Sequence, residues 1–136
     1  MIRTLTIPTP GRGFIGITGQ VAEVVAESGV REGLCTVFIR HTSASLLIQE
    51  NVDPTVRRDF DAFFARLVRD GDPLFHHNDE GPDDMPAHIR AALTATTLSI
   101  PIDRGKLVLG TWQGVYLWEH RTSPHTRSVV VQVLEG

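Results

Sequence analysis

The sequence holds a single cysteine, Cys35, among its 136 residues. An intrachain disulfide is therefore excluded, and the apolar run Leu34-Cys35-Thr36-Val37-Phe38-Ile39 makes Cys35 a buried structural thiol rather than a nucleophile. Long hydrophobic runs are also missing: none approaches the roughly 18 residues that a membrane span needs. Met1-Ile2-Arg3 leads into a strand-like alternation instead of an apolar leader, so no secretory signal is expected and the compartment reads as reducing cytoplasm. Charge of one sign is lacking too, with 13 Lys and Arg against 16 Asp and Glu and a formal net charge of -3. The basic residues are scattered, Arg57-Arg58 being only a doublet, and neither nucleic acid nor a membrane is expected as a partner. No Walker-type glycine loop, no glycine-flanked nucleophile serine and no H-E-x-x-H pair is present.

What remains is a globular composition. Apolar residues at 41% and charged residues at 21% suit one domain spanning residues 1–136 with a proper core. Ile2, Leu5 and Ile7 predict a first strand that ends at Pro8-Thr9-Pro10-Gly11. Thr18 is the expected N-cap of a helix carrying Val21, Val24 and Val25 on one face, and Ser28-Gly29 closes it. Residues 34–41 and 44–49 read as strands, the first with Val37, Ile39 and His41 on one side. Asp53 caps a helix with Pro54 at its first position, and Val56, Phe60, Phe63 and Leu67 recur as one face. Asp70-Gly71-Asp72-Pro73 stops it, and a further helix after Asp83-Asp84 is expected to turn Ile89, Leu93 and Ala92 inward. From residue 97 the pattern becomes β: segments 98–102 and 107–109 flank the turn 103–106, and strands follow at 115–120 and 128–134. Hairpins and separate helices without regular βαβ alternation predict an α+β fold.

Three stretches break the core-building pattern. His41-Thr42-Ser43-Ala44-Ser45 offers an imidazole beside hydroxyls, suited either to an ion or phosphate or to capping a strand-end turn. His76 to His88 crowds imidazoles and carboxylates into thirteen residues, a donor set that suits zinc or another divalent transition ion rather than magnesium. The same acidic residues would also serve a solvated loop and a helix N-terminus, where Asp83 and Asp84 are electrostatically favoured. Gly110-Thr111-Trp112-Gln113-Gly114 lets the backbone approach a ligand or a neighbouring subunit closely. In Glu119-His120-Arg121, Arg121 is a candidate oxyanion clamp and His120 or Glu119 a candidate ligand or base, with His120 otherwise packed beside Trp118.

Taken together, His41-Thr-Ser-Ala-Ser-Leu, Gln49-Glu50-Asn51-Val-Asp53-Pro54, His77-x-x-Glu80-Gly-Pro-Asp-Asp-Met-Pro-Ala-His88-Ile and Leu109-Gly-Thr-Trp-Gln-Gly114 resemble the YjbQ-like family, also called the secondary thiamine-phosphate synthase family. The resemblance spans essentially the whole chain. It implies a curled, barrel-like, mostly antiparallel sheet flanked by helices, assembled as a homotrimer with polar sites near the subunit contacts. It also implies a weak synthase activity that joins a pyrimidine methyl diphosphate to a thiazole phosphate and releases pyrophosphate. By position, His41, Ser43, Glu50, Asp83 and His88 are then expected to act on a small phosphorylated metabolite. Thr42, Asn51, Asp53, Trp112, Gln113 and Arg121 are expected to bind it, and His41, His77 and His88 to hold a divalent ion. Glu119-His120-Arg121 departs from members with an aromatic at the middle position. A metal-dependent hydrolase or lyase, or a non-catalytic metal-binding trimer, is the alternative.

Overall fold

Strict alternation of apolar residues builds the framework. The computed structural model describes all 136 residues. In β3 (Gly33–Ile39), Cys35, Val37 and Ile39 are buried while Leu34 and Phe38 face outward, the period of two of a pleated strand. β8 (His125–Glu135) does the same with Arg127, Val129, Val131 and Val133. These strands pair antiparallel, Val37 opposite Val131. With β1 (Ile2–Thr9), β5 (Thr97–Asp103) and β6 (Lys106–Leu107) they form a five-stranded sheet in the order β1-β8-β3-β5-β6. A second sheet places β7 (Gln113–Glu119) between β2 (Gly13–Gly16) and β4 (Ala44–Glu50). Every strand pair is antiparallel. The result is a single curled half-barrel with three helices, the α+β architecture expected.

The core lies between the sheets. Val37, Ile39, Val129 and Val131 from the first meet Leu46, Val115 and Leu117 from the second. Helix α1 (Thr18–Ser28) adds Val21, Val24 and Val25, and Gly29 ends it with φ 70, a left-handed conformation that favours glycine. Thr18 does not cap this helix. Ile17 occupies that position, and the Thr18 hydroxyl accepts the Val115 N–H at 2.8 Å, tying the helix start to β7.

The outer face of β7 is also covered, because Tyr116 and Trp118 lie under α2 (Pro54–Leu67). Asp53 caps α2 by accepting the Thr55 N–H, with Pro54 at the start, as expected. Its inward face differs from the expected stripe. Phe60 and Phe64 meet the Trp118 ring at centroid distances of 5.8 and 4.8 Å, while Phe63 and Leu67 are exposed. Adjacent phenylalanines allowed either choice, and the Trp118 edge selects Phe64.

α3 (Asp84–Leu93) shows a similar rotation. It buries Asp84, Pro86, Ala87 and Arg90, leaving Ile89 half-buried and Ala92 and Leu93 exposed. Arg90 Nη2 donates to the Val68 carbonyl at the end of α2, so a charged side chain takes the place expected for leucine. Cys35 is fully buried, and burial pushes its thiol up to about 11. No helix is long and apolar enough to cross a membrane.

Candidate metal centre

Polar residues stand where the core-facing rows of three strands run out. Val37-Ile39 leads to His41, Val115-Leu117 to Glu119, and Val133-Val131-Val129 back to Arg127. Glu119 is fully buried, with both oxygens engaged. It accepts from Thr9 Oγ1 at 2.7 Å, Arg127 Nε at 2.7 Å and the Arg121 N–H at 3.1 Å, and forms a further bond with Arg127 Nη2. Burial works to raise the Glu119 carboxyl, but these donors outweigh it and hold the carboxyl below its usual range. Arg127 Nη2 also donates to Ser43 Oγ at 3.0 Å and to the Ser43 carbonyl at 3.3 Å.

Beside this network, α3 begins with Asp84, and His88 follows one turn later on the same face. Asp84 Oδ2 lies 2.7 Å from His77 Nε2, and Oδ1 lies 3.4 Å from His88 Nε2. One donor atom from each of His77, Asp84 and His88 falls within 4.8 Å of the others. His88 Nδ1 donates to the Thr42 carbonyl at 2.9 Å. A carbonyl only accepts, so Nδ1 carries a proton, and Nε2 is the ring nitrogen that faces Asp84. Asp84 is 1% exposed. Its burial raises the carboxyl, yet the His77 hydrogen bond and the charges of His88 and Arg121 bring it below the usual value.

Arg121 fixes the frame around the group. Its Nε donates to Asp83 Oδ2 at 2.9 Å, Nη1 sits 3.1 Å from Asp84 Oδ1, and Nη2 donates to the Glu80 carbonyl at 2.7 Å. Against the cost of burial, Asp83 is held down at about 2 by the Thr122 N–H and by Arg121. Asp83 occupies the N-cap position of α3 but makes no side-chain cap, spending its oxygens on the 121–122 corner instead.

The structure divides the expected site residues into two groups. His41, Thr42, Ser43, His77, Asp83, His88 and Arg121 gather at the β4 end where Ala44 pairs with Glu119. Glu50, Asn51, Asp53, Trp112 and Gln113 lie at the other end, where Glu50 pairs with Gln113. The seven-residue ladder separates the ends by about 20 Å at the rise of an extended strand. The distant group is engaged locally. Glu50 Oε2 accepts the N–H groups of Val52 and Asp53, Asn51 Nδ2 donates to the Thr111 and Gln113 carbonyls, and Gln113 Oε1 accepts the Gly110 N–H. Trp112 is 61% exposed.

The expected metal set also changes. His41 stands outside the group of three, its place taken by Asp84. His41 Nε2 accepts the Ser128 N–H at 2.8 Å, and Nδ1 lies 3.4 Å from Arg127 Nη1. His41 and His88 instead border one cavity of about 480 Å³ with Thr42. Ser43 is buried with its hydroxyl oxygen accepting from Arg127, and Arg121 is held by carboxylates rather than left open to phosphate as expected. His120 takes the packing role: it is fully buried 4.9 Å from the Trp118 ring, with Nε2 2.8 Å from Ser45 Oγ. Two participants escaped the sequence reading, namely Asp84 and Arg127. The signal for Arg127 was a charged residue continuing a period-two apolar row, Arg127-x-Val129-x-Val131-x-Val133.

A family description, UPF0047 protein YjbQ-like, matches residues 3–136. The chain belongs to the YjbQ family. A UPF0047 protein of Synechocystis is 57% identical over 129 residues, covering 95% of this chain and 88% of the relative. The UPF0047 protein YjbQ of Escherichia coli O157:H7 is 41% identical over 135 residues, covering 98% and 96%. Among solved structures, a conserved hypothetical protein from Thermus thermophilus superposes with a TM-score of 0.87 at 36% identity, covering 97% of this chain and 99% of its own. A hypothetical protein from Aeropyrum pernix gives 0.90 at 28% identity, covering 100% and 99%. These names state no activity, so membership in the YjbQ family establishes the fold and leaves the reaction to the site.

Proposed function

We propose that this YjbQ-family chain is a cytoplasmic metal-dependent enzyme acting on a small phosphorylated metabolite, with a divalent ion held by His77, Asp84 and His88. The observation that carries the reading is the orientation of His88. Its Nδ1–H is given to the Thr42 carbonyl, which leaves Nε2, beside the Asp84 carboxylate, as the nitrogen an ion would take; metal-binding histidines are typically oriented by such a bond from the other ring nitrogen. Two imidazoles and one carboxylate suit zinc or another divalent transition ion better than magnesium, and three protein ligands leave a coordination position for substrate or water. An ion there would supply Lewis-acid stabilisation of a phosphate oxygen or a water of lowered pKa.

The chain's own residues supply the rest. Arg121 holds the Asp84 carboxylate in place, and the cavity beside His88 receives the organic part of the metabolite. His41, at the cavity wall, is kept neutral at physiological pH by burial and by Arg127. A homotrimer accounts for the distant group: a neighbouring copy would bring exposed Trp112, with Glu50, Asn51, Asp53 and Gln113 behind it, toward the histidines. The reaction implied by the resemblance is transfer of the pyrimidinylmethyl unit from its diphosphate to a thiazole phosphate, with pyrophosphate leaving as the C–O bond breaks. Because Arg121 is spent on Asp83, Asp84 and Glu80, a second reading is favoured by that observation: hydrolysis or elimination at a single phosphate.

Pyrophosphate release from the two thiamine precursors, and phosphate release from simple monoesters, would be followed with zinc and with EDTA. Turnover with either substrate class that needs the ion and is lost in Asp84→Asn supports the proposal. Turnover unaffected by EDTA and by Asp84→Asn contradicts it.

A further inference from the structure

The protons on His41 and Arg127 do not match one another. His41 Nε2 accepts the Ser128 N–H at 2.8 Å, so its lone pair points there and a neutral ring must carry its proton on Nδ1. Nδ1–H then faces Arg127 Nη1, a second donor, at 3.4 Å. Two N–H groups brought this close call for a shared acceptor, and the protein provides none: the neighbouring Glu119 carboxylate is already taken by Arg127 Nε and Nη2, Thr9 and the Arg121 N–H. Arg127 is 4% exposed, so its orientation is fixed by that pairing rather than by solvent.

Burial is the largest influence against protonation of His41; Arg127 adds to it, Glu119 opposes it, and Arg40 and His125 contribute less. Arg40 and His41 both line the cavity of about 480 Å³, together with Thr42, Thr96 and the apolar Phe38 and Ala91. Arg40 is the charged side chain on this wall, the buried Arg127 charge being paired with Glu119.

We propose that the His41 wall of the cavity is an oxyanion subsite, where one oxygen of a phosphate group accepts from His41 Nδ1–H, with Arg40 on the same lining and the buried Arg127 Nη1, outside the lining, 3.4 Å from that nitrogen. The assignment deepens the phosphorylated-metabolite reading and rests on it for the nature of the ligand, but it needs no metal ion. It moves the phosphate contacts from Arg121, which is held by carboxylates, to His41 and Arg40.

Inorganic phosphate is the probe. Protein labelled with ¹⁵N-histidine, kept in EDTA, would be titrated with phosphate at constant ionic strength and the His41 ring signals followed. A saturable shift at His41 is expected, with its Nδ1 signal in the protonated range. With phosphate affinity of the variants read by calorimetry, binding should weaken about tenfold or more in His41→Ala, a half-exposed position, and in the charge-balanced Glu119→Gln/Arg127→Gln pair. Arg40→Gln, at an exposed position, should weaken it less, by about threefold. Acetate should bind about tenfold more weakly than phosphate, and equal binding would overturn the phosphate assignment. Absence of a saturable His41 shift in EDTA would overturn the subsite itself, as would unchanged affinity in both His41→Ala and Arg40→Gln. Because EDTA is present throughout, these results stand apart from whether His77, Asp84 and His88 bind an ion.

Discussion

His88 donates its Nδ1–H to the Thr42 carbonyl at 2.9 Å, joining two segments 46 positions apart in the chain. The bond fixes the ring of a helix residue against a strand-end corner and determines which nitrogen is left to face Asp84. Replacing His88 with Gln removes that nitrogen while keeping a polar side chain. His88→Gln is expected to weaken zinc binding by more than the roughly 100-fold that loss of an outer-shell partner can cost, as judged by competition with a chromophoric chelator.

An ion bound only by the folded chain must also stabilise it. Zinc at about 100 times its dissociation constant should add about 2.7 kcal/mol, raising the thermal midpoint by several degrees, and EDTA should reverse the gain. Asp84→Asn should abolish the increment, because it replaces the central anionic donor with an amide. An equal midpoint rise in Asp84→Asn would place the ion elsewhere.

His120 makes the fold acid-sensitive. Burial, reinforced by Arg90 and Arg12, lowers its pKa to about 3 from an ordinary value near 6.5. The unfolded chain therefore binds a proton in this window that the native chain refuses. The stability is fully present above the unfolded value and declines as pH falls from about 6.5 toward 3, by up to about 1.4 kcal/mol per pH unit. Urea unfolding across that range should show the slope, and His120→Gln should flatten it. The same slope in His120→Gln would assign the sensitivity to other groups.

Arg121 joins the 80–84 segment to the end of β7 through Asp83, Asp84 and the Glu80 carbonyl. Lysine keeps the charge but not the fork geometry. Arg121→Lys should cost about 2 kcal/mol in chemical denaturation and loosen the start of α3, seen as faster amide exchange at Ala87 and His88. Unchanged exchange there would mean that Asp83 and Asp84 hold the helix start without it.

Much of the architecture could be read from period and punctuation. Cys35-Val37-Ile39 and Val129-Val131-Val133 declare their buried faces, and Asp53-Pro54 marks a helix start that the structure reproduces. The rotations of α2 and α3 were not legible, because Phe63 against Phe64 and Leu93 against Arg90 are decided by Trp118 and Val68, residues distant in sequence. The site was legible in part. His77 and His88 stood out as unusual chemistry in an acidic loop, but Asp84 looked like an ordinary helix-start acid. His41 looked equivalent to the other histidines until its ring nitrogens were seen to face Ser128 and Arg127. Glu50 and Trp112 shared the sequence signature without sharing the place, since a strand carries its two ends about 20 Å apart.

The central claim is that His77, Asp84 and His88 together hold one ion. Cobalt(II) titration of untagged protein, read by visible absorption and calorimetry, tests it most directly. Saturation is predicted at about one ion per chain, with a nitrogen and oxygen ligand spectrum that disappears in Asp84→Asn and in His88→Gln. No binding in the wild-type protein, or the same spectrum and affinity in Asp84→Asn, would contradict it.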